Sequence, residues 1–382
     1  MILVKAIFWA SLLLAGYVYF IYPVIALALA RVLERRVNKG RITPRVSIVI
    51  AAFNEEPHIG ATIENKLRLD YPKDRVEIIV VSDGSTDATD EIAKGYAERG
   101  VCLIRQEKRQ GKTAALNMAV PEATGEIIVF SDANSLYAPG ALRELVSNFA
   151  DPTVGYATGK MVYVNKDGSV IGGGCSAYMK YENWLRSLET SIGSVVGVDG
   201  GIDAVRKSLY SAMRPDQIPD FVLPLKVVEK GYRVVYDPEA FLNESSLSAS
   251  SDEYRMRVRV SLRSLHALWD MRGLLNPLRH GLFSWQLLSH KVLRYGVFAF
   301  LGAMYILNLA LSGEGLYMAI FVMQNVFYAS ALAGLYIEKN GGKNVRLFYI
   351  PFYFCVINIA AAHAFWKFIH NEKQAVWVPR KG

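Results

Sequence analysis

The chain contains 382 residues, 52% of them hydrophobic and 20% charged, and a mean hydropathy of +0.19 is too apolar for an ordinary soluble protein of this size. The net charge of +8 comes from basic residues that are scattered or flank apolar segments, which excludes nucleic-acid binding and favours attraction to anionic lipid headgroups. The three cysteines, Cys102, Cys175 and Cys355, lie far apart without metal-ligand spacing, so we expect reduced thiols instead of disulfides or a zinc site.

The first predicted element is an apolar segment from about Ile7 to Ala30. A stretch of roughly 20 apolar residues is long enough to cross a bilayer. A signal peptide is the alternative, but the segment is long, lacks a small-x-small cleavage site and runs into a basic cluster. We therefore expect a retained membrane anchor over residues 1–31. The cluster predicts that the chain enters the cytosol after the anchor, and it comprises Arg31, Arg35, Arg36, Lys39, Arg41 and Arg45.

The middle of the chain, residues 43–250, alternates between predicted strands and helices. Three continuous apolar runs, 46–53, 76–81 and 126–130, are typical of strands that are buried on both faces of a parallel sheet. Helical stretches are predicted at about 57–69, 87–98 and 111–119. This alternation predicts βαβ units and an α/β fold.

Polar side chains follow each of these strands: Asn54 and Glu55 the first, Asp83 the second and Asp132 the third. Ligands bind at the carboxyl ends of strands in open α/β sheets, so we expect the four side chains to meet around one pocket. A turn-ordering role is the alternative for Asp83, and helix capping is the alternative for Asp87.

A divalent-metal site is predicted at Asp132 and Asn134. The two side chains point the same way on an extended chain, and a carboxylate with an amide oxygen can hold Mg²⁺ or Mn²⁺ together with diphosphate oxygens. An Asx-turn is the alternative. Nearby, Lys108, Arg109 and Lys112 precede or open a helix, and cations at a helix N-terminus are a weak signal for phosphate binding.

Asp220 is the candidate general base. It opens an apolar helix that runs to about Lys230. A reaction in which a hydroxyl attacks needs a group that accepts its proton, and a carboxylate is suitable for this role. Helix capping is the alternative, and the two roles are compatible.

The C-terminal part is predicted to return to the membrane. Residues 251–291 are expected to be amphipathic, with Gly281–His290 lying at the membrane surface or, alternatively, starting the next crossing. Within 292–370, apolar stretches at Val292–Leu311, Leu316–Tyr336 and Leu347–Phe368 predict about three crossings. Three crossings leave the C-terminus outside, yet basic residues in the tail favour the inside: Lys367, Lys373, Arg380 and Lys381. The sequence leaves this conflict open.

The motifs resemble those of family 2 glycosyltransferases with the GT-A fold, over about residues 43–310. The subgroup most similar is the membrane-integrated synthases of hyaluronan, chitin, cellulose and poly-N-acetylglucosamine. The matching segments are AAFNEE (51–56), VVSDGSTD (80–87), GKTAALN (111–117), FSDAN (130–134), Gly200–Gly201, PDFVLPLKVVEKGYRVVYDPEA (219–240) and EYRMRVRV (253–260).

The resemblance implies a Rossmann-like domain that binds a nucleotide sugar, between N- and C-terminal transmembrane helices. It assigns Ala52, Asn54, Glu55 and Asp83 to the nucleoside. Lys112 would face the donor, and Asp132 would bind the metal with the diphosphate. Asp220 would be the base of an inverting reaction. The expected localisation is the plasma (inner) membrane with a cytosolic catalytic domain, and the expected partners are a UDP-sugar, membrane lipids and a glycan or lipid acceptor.

Three departures from the family pattern affect these expectations. The acidic DxD motif is Asp132–Ala133–Asn134, with one charge fewer. The Gln-x-x-Arg-Trp motif keeps Arg259, a candidate diphosphate contact, but has Met256 and Val260 instead of Gln and Trp. One amino-terminal segment replaces two. The leading hypothesis is polysaccharide synthesis, and the alternative is addition of one sugar to a lipid or polyprenyl-phosphate acceptor. A non-catalytic sensor is disfavoured because Asp83, Asp132 and Asp220 are all present. The polar segment 245–251 would be a gating loop or a linker.

Overall fold

The computed structural model describes residues 1–164, 170–245, 250–341 and 345–374. Most of the expected gating loop, residues 246–249, lies outside this part of the chain, as do Arg380 and Lys381 of the basic tail.

The three apolar runs form adjacent parallel strands at the centre of a mixed sheet. Its eight strands have the order β3-β2-β1-β4-β7-β6-β8-β5. Neighbours among the first four are parallel, whereas β7 is antiparallel to both β4 and β6. The strands are β1 (Val46–Ala52), β2 (Val76–Ser82), β3 (Val101–Arg105), β4 (Ile127–Asp132), β5 (Leu136–Tyr137), β6 (Val154–Val164), β7 (Ile202–Arg206) and β8 (Arg233–Ser245). The expected α/β architecture is confirmed.

Helices connect and cover the strands, and further helices flank the sheet domain at both ends of the chain. They are α1 (Ile2–Gly16), α2 (Tyr22–Leu33), α3 (Glu56–Leu67), α4 (Thr89–Lys94), α5 (Lys112–Glu122), α6 (Ala141–Ser147), α7 (Val170–Ile192), α8 (Pro219–Glu229), α9 (Ser250–Asp270), α10 (Pro277–His280), α11 (Leu282–Leu287), α12 (Leu293–Leu311), α13 (Gly315–Lys339) and α14 (Arg346–Ile369).

Both faces of the sheet are buried, which explains why its central strands are continuously apolar. Along β1, Val49 and Ala51 belong to a cluster that includes apolar residues of α5 and α8. Ile48 and Ile50 point to the opposite face and pack in a second cluster with residues of α3 and α6. Because β1, β2 and β4 are parallel, their carboxyl ends lie at one edge, with Ala52 paired to Ser82 and Ala51 paired to Asp132.

In the part of the chain that the structure describes, four helices are long and apolar enough to cross a membrane: 2–33, 282–311, 315–339 and 347–369. The first joins α1 to α2 through a π-helical turn at Tyr17–Ile21, and the second joins α11 to α12 in the same way at Leu288–Val292. These helices make the chain a membrane protein. The segment expected at the membrane surface, Gly281–His290, continues into the second helix, which is the alternative considered above.

Candidate active site

Side chains from three elements meet where β4 ends. Lys112 is the first residue of α5, Asp132 is the last residue of β4, and Asp220 lies in the first turn of α8. The Lys112 Nζ atom donates to Asp132 Oδ1 at 2.6 Å and lies 3.6 Å from Asp220 Oδ1. The lysine therefore joins two carboxylates that are 88 positions apart in the sequence.

Gly200 permits Asp220 to approach this group. Its φ angle is +84°, and a Cβ atom at this position would lie 2.3 Å from the Asp220 carboxylate. Only glycine accepts both the left-handed backbone and this contact. The carbonyl of Gly200 also lies 3.5 Å from Lys112 Nζ, so the loop before β7 forms one wall of the site.

The charges of the site are strongly coupled. Burial raises the pKa of Asp220 above its ordinary value, although Lys112 acts against this shift. Burial by itself would lower the pKa of Lys112, but Asp132 and Asp220 raise it above the ordinary value. Arg259 on α9 is electrostatically attracted to both acids. The site therefore combines two cations with two carboxylates, one of which is a stronger proton acceptor than a free aspartate.

Asp83 lies behind the start of α5. Its side chain is fully buried, and it accepts hydrogen bonds from Gln106 Nε2 at 2.9 Å, from the Gln110 amide at 2.8 Å and from the Gly111 amide at 2.9 Å. Because Gly111 precedes Lys112, Asp83 fixes the loop from which the lysine projects. A nucleoside contact by Asp83 stays a prediction, whereas the loop-ordering geometry is directly visible.

We expect the Asp83→Ala substitution to destabilise the protein by about 1–3 kcal/mol, because it leaves buried donors without an acceptor. The melting temperature should fall. The KM for the nucleotide-sugar donor should rise more than kcat falls, because the loop that carries Lys112 loses the hydrogen bonds that hold it in place. The Asp74→Ala variant is the control, because the Asp74 side chain is 81% exposed. Equal melting temperatures for the two variants would contradict this role.

The other predicted nucleoside residues lie at the same edge in different environments. Asn54 has a φ of +51°, and its Oδ1 atom accepts from the Thr86 amide at 2.8 Å. The Glu55 amide donates to Thr89 Oγ1 at 2.8 Å. The Ala52 side chain is fully buried, and its carbonyl accepts from the Asp83 amide at 2.9 Å. These bonds join the loops after β1 and β2, and nucleoside binding by the three residues stays a prediction.

Asp87 lies one residue before Ala88, the N-cap of α4, so it is not the cap itself. Its Oδ1 atom accepts from the Thr89 amide at 3.1 Å, next to the start of α4, and its Oδ2 atom accepts from the Glu56 amide at 3.1 Å. Arg109 stacks its guanidinium 3.6 Å from the centre of the Phe53 ring. This aromatic contact was not predictable from the sequence, because Phe53 ends a run of apolar residues that is typical of a buried strand.

Beyond β4 the chain turns, because the Ser135 amide donates to the Asp132 carbonyl at 3.2 Å, so Asp132 and Asn134 do not lie on the extended chain that the sequence predicted. Thr62 donates to the Ala133 carbonyl at 2.6 Å, and the buried Lys66 donates to the Ser135 carbonyl at 2.6 Å. No group of three or more His, Cys, Asp or Glu side chains suited to a metal occurs among the described residues. One carboxylate and one amide oxygen still fit Mg²⁺ or Mn²⁺ if diphosphate oxygens complete the coordination.

Asp203 is a buried acid that the sequence reasoning missed. It lies on β7 and has no exposed surface. Neither of its carboxylate oxygens meets hydrogen-bond geometry among the described residues, although the Thr158 hydroxyl is near enough to favour the charged carboxylate. Burial, reinforced by the charge of Asp220, raises the pKa of Asp203 to about 8. Its position inside the otherwise apolar strand Ile202–Arg206 could have identified it as a buried acid from the sequence.

We expect Asp203→Asn to stabilise the protein at alkaline pH. The folded pKa lies above the unfolded value of about 3.9, so the wild-type contribution is complete below about pH 4 and is lost as the pH rises through about 8. Between pH 6 and 9 the variant should gain about 2 kcal/mol relative to the wild type. Thermal unfolding at both pH values measures this, with Asp74→Asn as the control. If the difference in free energy of unfolding between the variant and the wild type were the same at pH 6 and pH 9, Asp203 would not titrate in this range.

Family comparisons agree with this geometry. The Glycosyl transferase family 2 model matches residues 47–193, and the Glycosyl transferase family group 2 model matches residues 127–360. A β-monoglucosyldiacylglycerol synthase of Nostoc sp. is 32% identical over 168 residues, which cover 43% of this chain and 36% of that protein. A poly-β-1,6-N-acetyl-D-glucosamine synthase of Staphylococcus aureus is 28% identical over 202 residues, 51% of this chain and 48% of that protein. The matches thus span less than half the length of these two relatives.

A solved structure shares the whole architecture. The mannosyltransferase PcManGT from Pyrobaculum calidifontis, solved in complex with GDP-Man and Mn²⁺, superposes with a TM-score of 0.76, 22% identity and coverage of 97% of this chain and 99% of that one. This similarity confirms the expected GT-A fold. With a family model that matches more than half of its residues, the chain belongs to the family 2 glycosyltransferases.

Proposed function

We propose that the protein transfers a sugar from a nucleotide diphosphate sugar, a UDP-sugar, to an acceptor hydroxyl with inversion at the anomeric carbon. The observation that carries this proposal is the group of Lys112, Asp132 and Asp220, in which one cation contacts two carboxylates at the carboxyl edge of the sheet. A diphosphate leaving group needs cations, and an attacking hydroxyl needs a base.

The residues divide these tasks. Lys112 and Arg259 stabilise the negative charge that develops on the diphosphate, while the loops after β1 and β2 bind the nucleoside through Ala52, Asn54, Glu55 and Asp83. Asp220 accepts the proton of the acceptor hydroxyl. The hydroxyl oxygen forms a bond to the anomeric carbon as the bond between that carbon and the diphosphate oxygen breaks, which inverts the configuration.

Asp132 and Asn134 would hold a divalent ion, Mg²⁺ or Mn²⁺. When bound, the ion neutralises charge on the diphosphate. The fold neighbour from Pyrobaculum was solved with Mn²⁺, which supports a divalent metal in this site.

The acceptor in the first candidate function is a growing polysaccharide, as in the Staphylococcus relative. The second candidate is addition of one sugar to a lipid or polyprenyl-phosphate acceptor. Only 11–44% of the residues in the four candidate spans are buried in the described part of the chain. A hydrated glycan needs a path shielded from acyl chains, and helices so exposed favour the second candidate.

The catalytic domain lies in the cytosol beside the plasma (inner) membrane, because the basic residues after α2 follow the positive-inside rule.

Purified protein incubated with Mn²⁺ or Mg²⁺ and a panel of nucleotide sugars should release the nucleoside diphosphate. Product analysis then separates the two candidates, since a ladder of lengths means polymerisation and one product means a single addition. Absence of release with every donor and acceptor would refute the proposal.

A further inference from the structure

Contacts at the two ends of the membrane helices identify the two sides of the bundle. On the side remote from the sheet domain, Lys5 of α1 pairs with Glu314 at 2.7 Å and Trp9 donates to the Tyr317 hydroxyl at 3.2 Å. On the near side, Glu338 of α13 accepts from the amide of Ser250, the first residue of α9, at 2.9 Å. A helix that crosses must connect these two sides.

Instead, α14 runs beside α9, in the same direction. Near its start, the Tyr353 hydroxyl accepts from Arg257 at 2.6 Å. Further along, Ala360 and Ala364 pack with Val258 and Leu262 in one buried cluster. Near its end, Phe368 meets the ring of His266 at 4.9 Å. Successive turns of α14 therefore contact successive turns of α9.

α9 itself lies on the catalytic domain. Its Arg263 donates to Thr113 Oγ1 of α5 at 3.3 Å, and its Asp270 accepts from Arg214 at 2.6 Å. A helix that follows α9 over its length stays at the level of the active site.

The carboxyl end of α14 confirms this direction. His266 Nε2 lies 2.9 Å from the Glu372 carbonyl oxygen, and Lys373 Nζ lies 3.0 Å from Asp216. A perpendicular helix of this length would end roughly 36 Å away, near Lys5 and Glu314. We infer that α14 lies along the membrane surface on the side of the catalytic domain, does not cross, and leaves residues 370–374 on that side.

The outer face of α14 matches the boundary between acyl chains and headgroups. Its last turn carries Lys367 among exposed apolar side chains, and helices with such a composition bind in the plane of an interface. In this helix 44% of the span is buried, against 11–28% in the other three candidates, because α9 covers one side. The exposed apolar residues include Leu347, Ile350, Ile359, Trp366 and Ile369.

This arrangement also removes the conflict found in the sequence. With three crossings instead of four among the described residues, Lys367 and Lys373 lie on the same side as the basic cluster after α2. The positive-inside rule is then satisfied at both ends. The inference depends on the packing of α9 and α14 and not on the proposed reaction.

Thiol labelling tests the sidedness. Starting from a variant without cysteines, Cys102 is restored as the reporter for the catalytic side, where it is exposed. Gly313→Cys reports the remote side, where nothing lies within 4 Å of an added Cβ atom. The test variant is Gln374→Cys, with His370→Cys as a second position in case the first perturbs folding; both native side chains are exposed.

A membrane-impermeant maleimide is added to sealed vesicles of one orientation, before and after permeabilisation. We expect Gln374→Cys and His370→Cys to label from the same face as Cys102, and Gly313→Cys to label only from the opposite face. Labelling of both test positions together with Gly313→Cys would overturn the inference, whatever the catalytic activity of the preparation.

Discussion

The Asp220→Asn variant should lose about 10²–10⁴-fold in the rate of sugar transfer, the usual contribution of a positioned general base. Asparagine preserves the shape of the side chain and its contact distance from Gly200, but it cannot accept the hydroxyl proton. Donor binding should persist because Lys112, Asp132 and Arg259 remain. The measurements are kcat for transfer and the affinity for the donor.

The pH dependence gives a second test of the base. Burial raises the pKa of Asp220, and only the deprotonated form accepts a proton. The transfer rate should therefore fall as the pH decreases through that raised pKa, at a pH above the ordinary value for an aspartate of about 3.9. In the Asp220→Asn variant this acidic limb should disappear together with most of the activity.

Asp216→Asn is the matched control for this experiment. Asp216 lies four residues earlier in the chain, and its carboxylate pairs with Arg214 at 3.1 Å. Its variant should retain the wild-type rate. If Asp220→Asn also retained the wild-type turnover, Asp220 would not be the base.

The second large effect is expected at Asp132. Asp132→Asn should lower kcat/KM by about 10²-fold or more, because the diphosphate loses its metal-binding carboxylate. Stimulation by Mn²⁺ or Mg²⁺ should weaken at the same time. Since Asp132 raises the pKa of Asp220, the acidic limb of the pH profile should also move to lower pH.

The Asn134→Asp variant provides the opposite change. It adds the second carboxylate that the family's acidic motif contains, so half-maximal activity should require less Mn²⁺. Titration of activity against the metal concentration measures both variants. An Asp132→Asn enzyme with unaltered metal dependence would show that the ion, if needed, binds elsewhere.

The position of α14 affects which kind of acceptor can reach the active site. The cluster formed by α9 and α14 places an apolar, membrane-facing helix directly beside the helix that carries Arg259 and Arg263. An acceptor hydroxyl attached to a lipid at this surface is therefore close to the site without entering a channel. This geometry agrees with the candidate function in which one sugar is added to a lipid.

Local patterns sufficed for the strands and for the acids that follow them. Each central strand is buried on both faces, so its sequence is continuously apolar, and parallel strands necessarily end at one edge. The positions of Asn54, Asp83 and Asp132 at that edge follow from these two facts. The apolar helices were equally visible, because spanning a bilayer requires length and hydropathy that a window of sequence contains.

Contacts between distant segments were decided only by the tertiary structure. Sequence alone determined a sheet domain with acids at one edge and several apolar helices. It did not determine that Asp83 is enclosed by the loop before α5, that Asp203 is buried, or that α14 packs along α9. The reason is physical: burial, pKa and helix orientation depend on which surfaces pack together, and hydropathy along the chain does not distinguish a helix surrounded by lipid from one covered by a neighbouring helix.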